Sequence, residues 1–175
     1  MAKVAILMGS DSDLAIMKDA AQILKQFEVE YEVAILSAHR LPKETTNFAL
    51  GAEKRGIKVI IAGAGGAAHL AGVIAANTTI PVIGVPIMST AMGGVDALYS
   101  TVQMPKGVPV ATVAINGAAN AGLLAISILA LGDPGLSRKI KEYRAKLAEE
   151  VRNKGMRLVD LGIEGYMLQK GGNKK

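Results

Sequence analysis

The sequence has 175 residues, half of them hydrophobic, and it contains no cysteine. This length and apolar content suffice for one domain with a full hydrophobic core. The lack of cysteine excludes disulfide bonds and thiolate chemistry and agrees with a reducing cytoplasm. A strand pattern begins directly at the N-terminus, so we expect no signal peptide, and no apolar run is long enough to span a bilayer. We therefore expect a cytoplasmic protein without a membrane partner.

The net charge of +5 is unevenly distributed along the chain. Residues 1–134 carry 9 Lys and Arg against 10 Asp and Glu, whereas residues 135–175 carry 11 against 5. The basic excess therefore lies on the C-terminal segment. Nucleic-acid binding usually combines basic residues with aromatic side chains that stack on bases, but this chain has two Phe, four Tyr and no Trp. We expect no nucleic-acid partner.

Short apolar runs alternate with helical patterns through the first 131 residues. Buried strands that alternate with helices predict an α/β fold, with a parallel sheet between two layers of helices. A charged helical pattern follows Pro134, and we expect one C-terminal helix there. The expected organisation is a single domain over residues 1–165, which includes this helix, and a flexible tail over residues 166–175. The predicted strands are residues 4–8, 31–36, 59–62, 81–86 and 108–114, and the predicted helices begin near residues 11, 42, 69, 96 and 116.

The last helix before the charged segment is unusual because residues 116–131 contain no charged side chain. A helix that is apolar on all sides must be covered on all sides. Small residues such as Ala118, Gly122 and Ala125 permit a neighbouring backbone to approach closely. The segment could be a central helix of the monomer. We favour burial between subunits, because helices that flank a sheet normally show one polar face to water.

Polar or glycine-rich loops follow the first three predicted strands. Right-handed crossovers place such loops at one edge of a parallel sheet, the edge formed by the carboxyl ends of the strands. We therefore expect the three loops to form one site. They are Gly9–Asp13, Ser37–Arg40 and Gly63–His69.

The first loop has residue types that suit either an anion site or a helix cap. Backbone N–H groups at the start of a helix favour an anion such as phosphate, with Ser10 and Ser12 as hydroxyl donors. Asp13 could accept hydrogen bonds from ribose hydroxyls. An ordinary N-cap needs the same residue types, and the loop has neither a Walker lysine nor a G-x-G-x-x-G pattern. Both interpretations remain open from this loop alone.

The second and third loops supply a guanidinium and the only two imidazoles of the sequence. Arg40 can bind phosphate bidentately, and His39 is of the type that transfers protons at neutral pH. A surface His beside a salt-bridged Arg explains either residue alone, but their occurrence together in a strand-exit loop favours a functional site. Gly65 lets backbone approach a flat ligand, whereas a tight turn alone does not explain His69. Two histidines and no cysteine make a poor zinc site, so we expect no metal.

Five motifs of the sequence form a recognisable series. They are Gly9-Ser10-x-Ser12-Asp13, Ser37-Ala38-His39-Arg40, Gly63-Ala64-Gly65-Gly66-Ala67-Ala68-His69-Leu70, residues 81–86 and residues 102–109. In their order and spacing, over about residues 3–160, the chain resembles a purine-biosynthesis family, the N5-carboxyaminoimidazole ribonucleotide mutases, which are the class I form of the catalytic subunit of phosphoribosylaminoimidazole carboxylase. The resemblance implies a flavodoxin-like three-layer sandwich with a central five-stranded parallel sheet, and assembly as a homo-octamer.

The implied activity is an isomerisation of a small ribonucleotide. A carboxylate moves from the exocyclic amine to ring carbon C4 by decarboxylation and recarboxylation, without a metal, biotin or nucleotide cofactor. His39 is the implied general acid and base. The ribose phosphate is bound by Ser10, Asp13 and Arg40. The complete implied set of substrate-binding residues is Ser10, Ser12, Asp13, Ser37, Arg40, Gly65, His69 and Leu70.

Two other functions remain open. The class II enzymes of the family carboxylate aminoimidazole ribonucleotide directly with CO2, but they typically have Lys in place of Arg40 and lack the Gly-Gly-Ala-Ala-His run. The chain therefore resembles the mutases more closely. A non-catalytic nucleotide-binding module could have the same fold, because a fold does not determine a function. Stoichiometric binding of the ligand without turnover would indicate such a module.

Overall fold

The computed structural model describes residues 3–89 and 91–172, and it divides into two compact units with a boundary between Leu136 and Ser137. The first unit contains a five-stranded sheet in which every pairing is parallel. The strand order is β2-β1-β3-β4-β5, which is the order of the flavodoxin-like fold. The strands are β1 (Val4–Met8), β2 (Tyr31–Ile35), β3 (Val59–Gly65), β4 (Val82–Ile87) and β5 (Ala111–Thr112).

Helices cover both faces of this sheet, so the predicted three-layer α/β architecture is confirmed. A Cβ atom added at Gly63 of β3 would overlap the sulfur of Met17, which places the first helix on one face. A Cβ atom at Gly84 of β4 would overlap Thr101 and approach Ala71 on the opposite face. The helices of this unit are α1 (Leu14–Gln26), α2 (Pro42–Ala52), α3 (Leu70–Ala75), α4 (Val95–Val102) and α5 (Ala118–Leu129), with a 3-10 turn over Asp11–Asp13 before α1.

The strands at the edges of the sheet differ from the prediction of uniformly buried strands. All five residues of β1 are buried, as its apolar run predicts. In β2, however, Val33 is 49% and Ile35 is 52% exposed, because this edge strand is left largely uncovered by helices on the face to which both side chains belong. The last strand, β5, has two residues instead of the predicted seven. It is preceded by Pro109, which has no N–H for a ladder, and by Val108, whose N–H donates to the carbonyl of Pro105 in a turn.

The uncharged helix α5 packs closely on α1 within the same chain. A Cβ atom at Gly122 would lie 3.0 Å from Cβ of Ile23 and 3.1 Å from the carbonyl oxygen of Ala20. Ala118, Ala121, Gly122, Ala125 and Ile126 are therefore buried inside the protomer. The small residues that suggested contact with another subunit are explained by this packing. On the outward side of α5, Asn120 is exposed and residues such as Leu124 and Ile128 are half-buried.

The second unit consists of the main part of α6 (Pro134–Gly172). Gly162, with φ 65° and ψ 173°, interrupts this helix. The predicted flexible tail begins at residue 166, and the part of it that the structure describes is helical as far as Gly172. Residues 173–175 lie outside the described residues. No helix in the described ranges is both long and apolar enough to cross a membrane.

We expect Gly122→Ala to destabilise the first unit by about 1–3 kcal/mol, the usual cost of overpacking a closely packed core. The reason is that the added methyl group must push α1 and α5 apart. Gly155→Ala is the matched control, because an added Cβ there meets nothing within 4 Å and helix propensity favours alanine by up to about 1 kcal/mol. Urea denaturation of both variants measures the difference. Equal stability of the two variants would contradict the packing described for Gly122.

Candidate active site

The carboxyl ends of four neighbouring strands surround a cleft of about 490 Å³. It is formed by the loops that follow β1, β2, β3 and β4, whereas sequence reasoning identified only the first three. All nine residues of the predicted site lie along this cleft. Its lining consists of Gly9, Ser10, Ser12, Asp13, Ser37, Ala38, His39, Arg40, Ala64, Gly65, Ala67, His69, Leu70, Ile87, Met88 and Ser89.

The loop after β1 is held by a reciprocal capping box. The Ser10 hydroxyl accepts a hydrogen bond from the backbone N–H of Ser12 at 3.4 Å, and the Asp13 carboxylate accepts one from the backbone N–H of Ser10 at 3.0 Å. The N–H of Asp13 donates to the Ser10 carbonyl. These N–H groups therefore have partners within the loop, so the helix-cap interpretation is correct for the backbone. The N–H groups of Ser10, Ser12 and Asp13 are thus already used within the loop and are not free for the anion that the sequence suggested.

Asp13 is the one carboxylate that lines the cleft, and it is only 8% exposed. Burial raises the pKa of its carboxyl group above the ordinary value, because removal of water disfavours the charge. Hydrogen bonds from the backbone of Ser10 and Gly9 oppose this rise in pKa, and the neighbouring Asp11 adds to it. These backbone hydrogen bonds hold the carboxyl group in position and partly offset the effect of burial on its charge.

Arg40 connects the loops after β1 and β2. Its Nε atom donates to the Ser37 hydroxyl at 3.3 Å, and its Nη2 atom donates to the Gly9 carbonyl at 3.3 Å. Its backbone N–H also donates to the Ser37 hydroxyl, at 3.2 Å. No salt bridge to Arg40 is present among the described residues, so the alternative of a salt-bridged surface Arg is wrong there. The remaining guanidinium N–H groups are available for an anionic ligand.

The two histidines meet although they are 30 residues apart in the sequence. Nε2 of His39 lies 2.8 Å from Nδ1 of His69, and the two rings are nearly perpendicular at 82°. One nitrogen must donate and the other accept at this distance, so only one proton lies between the rings. The tautomers of the two imidazoles are therefore coupled. The contact joins the loop after β2 to the loop after β3.

Glycine is required at the end of β3 because the strands approach closely there. A Cβ atom at Gly65 would lie 3.1 Å from the carbonyl oxygen of Ile87 on β4. Gly66 follows with φ 61°, a conformation that L side chains rarely adopt. Leu70 begins α3 and is 2% exposed, so it contributes to the core as well as to the cleft wall. These contacts fix the position from which His69 extends.

The fourth loop, after β4, was not recognised from the sequence. The backbone N–H of Met88 donates to the side-chain oxygen of Asn116 at 2.9 Å, and the Ser89 hydroxyl donates to the Asp96 carboxylate at 3.1 Å. The available signal was Ser89, a hydroxyl two residues beyond the strand. The predicted strand ends at residue 86, and the apolar residues Ile87 and Met88 follow it. Ser89 therefore does not come directly after the predicted strand, whereas a polar residue or a glycine begins each of the other three loops.

Sequence comparison identifies the family to which this arrangement of loops belongs. The sequence pattern of the family described as AIR carboxylase matches residues 3–150, which includes every residue that lines the cleft. The chain belongs to the AIR carboxylase family. This match covers the whole sheet and all five of its helices.

Members of the AIR carboxylase family resemble the chain over nearly its full length. The N5-carboxyaminoimidazole ribonucleotide mutase of Thermotoga maritima is 55% identical over 97% of this chain and 99% of its own length. The phosphoribosylaminoimidazole carboxylase of Saccharomyces cerevisiae is 53% identical over 95% of this chain, but over only 29% of its own length. The crystal structure of Treponema denticola PurE superposes with a TM-score of 0.80 at 31% identity, covering 89% of this chain and 97% of that one.

The raised pKa of Asp13 predicts a stability that depends on pH. The Asp13 carboxyl group stays protonated to a higher pH in the folded protein than in the unfolded chain. Its contribution to the free energy of unfolding therefore falls as pH rises from the unfolded pKa of about 3.9 to the raised folded pKa. Asp13→Asn keeps an oxygen for the Ser10 N–H and removes the buried charge. We expect the free energy of unfolding of the wild type, relative to that of the variant, to decrease with rising pH in this window.

Urea denaturation of both proteins between pH 4 and pH 8 measures this difference. Subtracting one curve from the other cancels the titration of groups that the two proteins share. A difference that is independent of pH, or that grows in favour of the wild type as pH rises, would contradict the assignment.

Proposed function

We propose that the protein is an N5-carboxyaminoimidazole ribonucleotide mutase of purine biosynthesis. It converts its substrate to 4-carboxy-5-aminoimidazole ribonucleotide by moving one carboxyl group. The observation that carries this proposal is the 55% identity to a protein named as this mutase, over 97% of the chain and 99% of that protein. The cleft supports it, because the residues that the resemblance assigns to the substrate line one surface.

The direct carboxylase has weaker support. The yeast relative that has the carboxylase name is a much longer protein, of which this chain corresponds to 29%. Arg40 and His69, which the resemblance associates with the mutases, both face the cleft. These features favour the mutase.

The ribose phosphate is proposed to lie over the ends of β1 and β2. Arg40 is already oriented there by Ser37 and by the Gly9 carbonyl, so little side-chain entropy is lost when it binds phosphate. The hydroxyl group of Ser12 adds a neutral donor, whereas the Ser10 hydroxyl donates to the Asp11 carboxylate at 3.0 Å and must turn from it to contact the phosphate. The Asp13 carboxylate then accepts hydrogen bonds from ribose hydroxyls, which its burial makes stronger than they would be in water.

His39 is proposed to move one proton in each direction during the reaction. It first donates a proton to the carbamate nitrogen, the N–C bond breaks, and CO2 is released into the cleft. The enamine-like C4 then attacks CO2, and His39 removes the C4 proton, so that the imidazole ends as it began. Because Nε2 contacts His69, Nδ1 of His39 is the nitrogen left to exchange the proton with the substrate.

A cytoplasmic homo-octamer is the proposed assembly. The outward side of α5 supports burial in an interface, because Leu124 and Ile128 are half-buried in the isolated chain and the helix has no charged residue. A helix that flanks a sheet normally presents a polar face to water. The number of eight subunits is taken from the resemblance to the mutases.

The direct test is turnover of the purified protein with each candidate substrate. We expect conversion of N5-carboxyaminoimidazole ribonucleotide to the C4 carboxylate at low bicarbonate. Aminoimidazole ribonucleotide should be converted only at high bicarbonate. Binding of both nucleotides without formation of the C4 carboxylate would replace the proposal with a nucleotide-binding module.

His39→Asn should lower kcat by about 10²–10⁴-fold, the usual contribution of a general acid and base. Asparagine keeps a hydrogen-bonding side chain of similar size but cannot carry a proton near neutral pH. Product binding should change little, since Arg40 and the β1 loop remain intact, and calorimetric titration with the product checks this. A folded variant with near-normal kcat would refute the role of His39.

A further inference from the structure

Ser89 and Asp96 form a polar pair at the end of the cleft farthest from Arg40. Ser89 lines the cleft, and its hydroxyl donates to Oδ2 of Asp96 at 3.1 Å. Asp96 lies in the first turn of α4, behind the loop that follows β4. Its other oxygen, Oδ1, is shielded from solvent and has no hydrogen-bond partner among the described residues. Ser89 is therefore the one donor that the described part of the chain supplies to this carboxylate.

The contact with Asp96 determines whether the Ser89 hydroxyl can donate or accept a hydrogen bond in the cleft. A serine hydroxyl has one proton to donate and two lone pairs that accept. A carboxylate with few other donors binds that proton firmly, because a charge-assisted hydrogen bond is stronger than a neutral one. Only the lone pairs of Ser89 remain for the cleft. The group that Ser89 contacts in a ligand must consequently be a donor, either N–H or O–H.

The position of Ser89 at the end of β4 indicates which donor group of a ribonucleotide it can contact. The order of the strands is β2-β1-β3-β4, and neighbouring strands lie about 4.8 Å apart, so the β4 end is about 10 Å from the β1 end. The phosphate and ribose are assigned to the β1 and β2 ends, where Arg40 and Asp13 lie. The base then extends toward β4. The donor on the base of this substrate is its exocyclic amine.

We propose that Ser89, oriented by Asp96, accepts a hydrogen bond from the exocyclic amine of the substrate and positions it for carboxyl transfer. This inference rests on the proposed mutase function. When C4 attacks CO2, the amine lone pair is delocalised into the ring, and its N–H becomes a stronger donor. A neutral acceptor therefore binds the transition state more tightly than the ground state, which raises kcat. Ser89 acts here as a positioning and specificity-determining residue.

The proposal is tested first by binding, which does not require turnover. Calorimetric titration compares 5-aminoimidazole ribonucleotide with imidazole ribonucleotide, the analogue that lacks the amine. We expect the wild type to prefer the amine-bearing ligand by about tenfold, the size of one hydrogen bond. Ser89→Ala should bind both ligands equally, and Ser89→Thr, which keeps the hydroxyl, should restore the preference. An unchanged preference in Ser89→Ala would overturn the proposal.

Turnover provides the second measurement. Ser89→Ala should lower kcat about tenfold with a smaller change in KM, and Ser89→Thr should recover most of that loss. Ser100→Ala is the matched control, because the Ser100 hydroxyl donates to the backbone carbonyl of Asp96 and does not line the cleft. Its kcat should equal that of the wild type. Unchanged kcat in Ser89→Ala overturns the inference about Ser89 alone, whereas a wild type without turnover or nucleotide binding overturns the mutase function as well.

Discussion

The backbone ladder that joins β1 to its two parallel neighbours determines where every group of the cleft lies. Met8 at the end of β1 is paired with Ile35 of β2 and with Gly63 of β3, so the loops that carry Ser10, Arg40 and the two imidazoles leave the sheet side by side. The His39–His69 contact and the Arg40–Gly9 contact both cross between these loops. A shift of one strand by one residue would turn its side chains to the opposite face and break both contacts.

The cleft combines a hydrogen-bonded backbone with exposed side chains, such as those of His39 and Arg40. The capping box after β1 uses the backbone N–H groups internally, so the loop has one defined conformation before a ligand arrives. Such preorganisation reduces the entropy lost when the substrate is oriented. Burial in this loop raises the pKa of Asp13 and so disfavours the charged carboxylate that the proposed ribose contact needs. Functional sites commonly combine these properties.

The fold could be predicted from the sequence because its signals are local. Val4–Met8 is an uninterrupted apolar run, and such a run predicts a strand that is buried on both faces. The grouping of the nine candidate residues along one cleft could be predicted because polar residues at strand ends are rare in an apolar chain and because their spacing resembles one family. The partners of these residues could not be predicted. The 2.8 Å contact between the histidines depends on the strand order, which no local pattern reveals.

The role of α5 shows a second limit of sequence reasoning. Its lack of charge correctly indicated extensive burial, but the sequence does not show which neighbour covers each side. The small residues pack on α1, since Gly122 leaves room for Ile23. Likewise, Ser89 was missed because no sequence pattern reveals its hydrogen bond to Asp96, seven residues away on the next helix. Contacts between different elements become visible only in the folded chain.

The central claim is that the carboxyl group of the product comes from the substrate's own carbamate and does not leave the cleft. The most direct measurement is a single turnover of unlabelled N5-carboxyaminoimidazole ribonucleotide in ¹³C-labelled bicarbonate, with carbonic anhydrase present to label free CO2. Mass spectrometry of the product then gives the fraction of new carbon at C4. We expect little label, because CO2 held beside C4 has a far higher effective concentration than CO2 in solution. Full equilibration of label within one turnover would contradict the account.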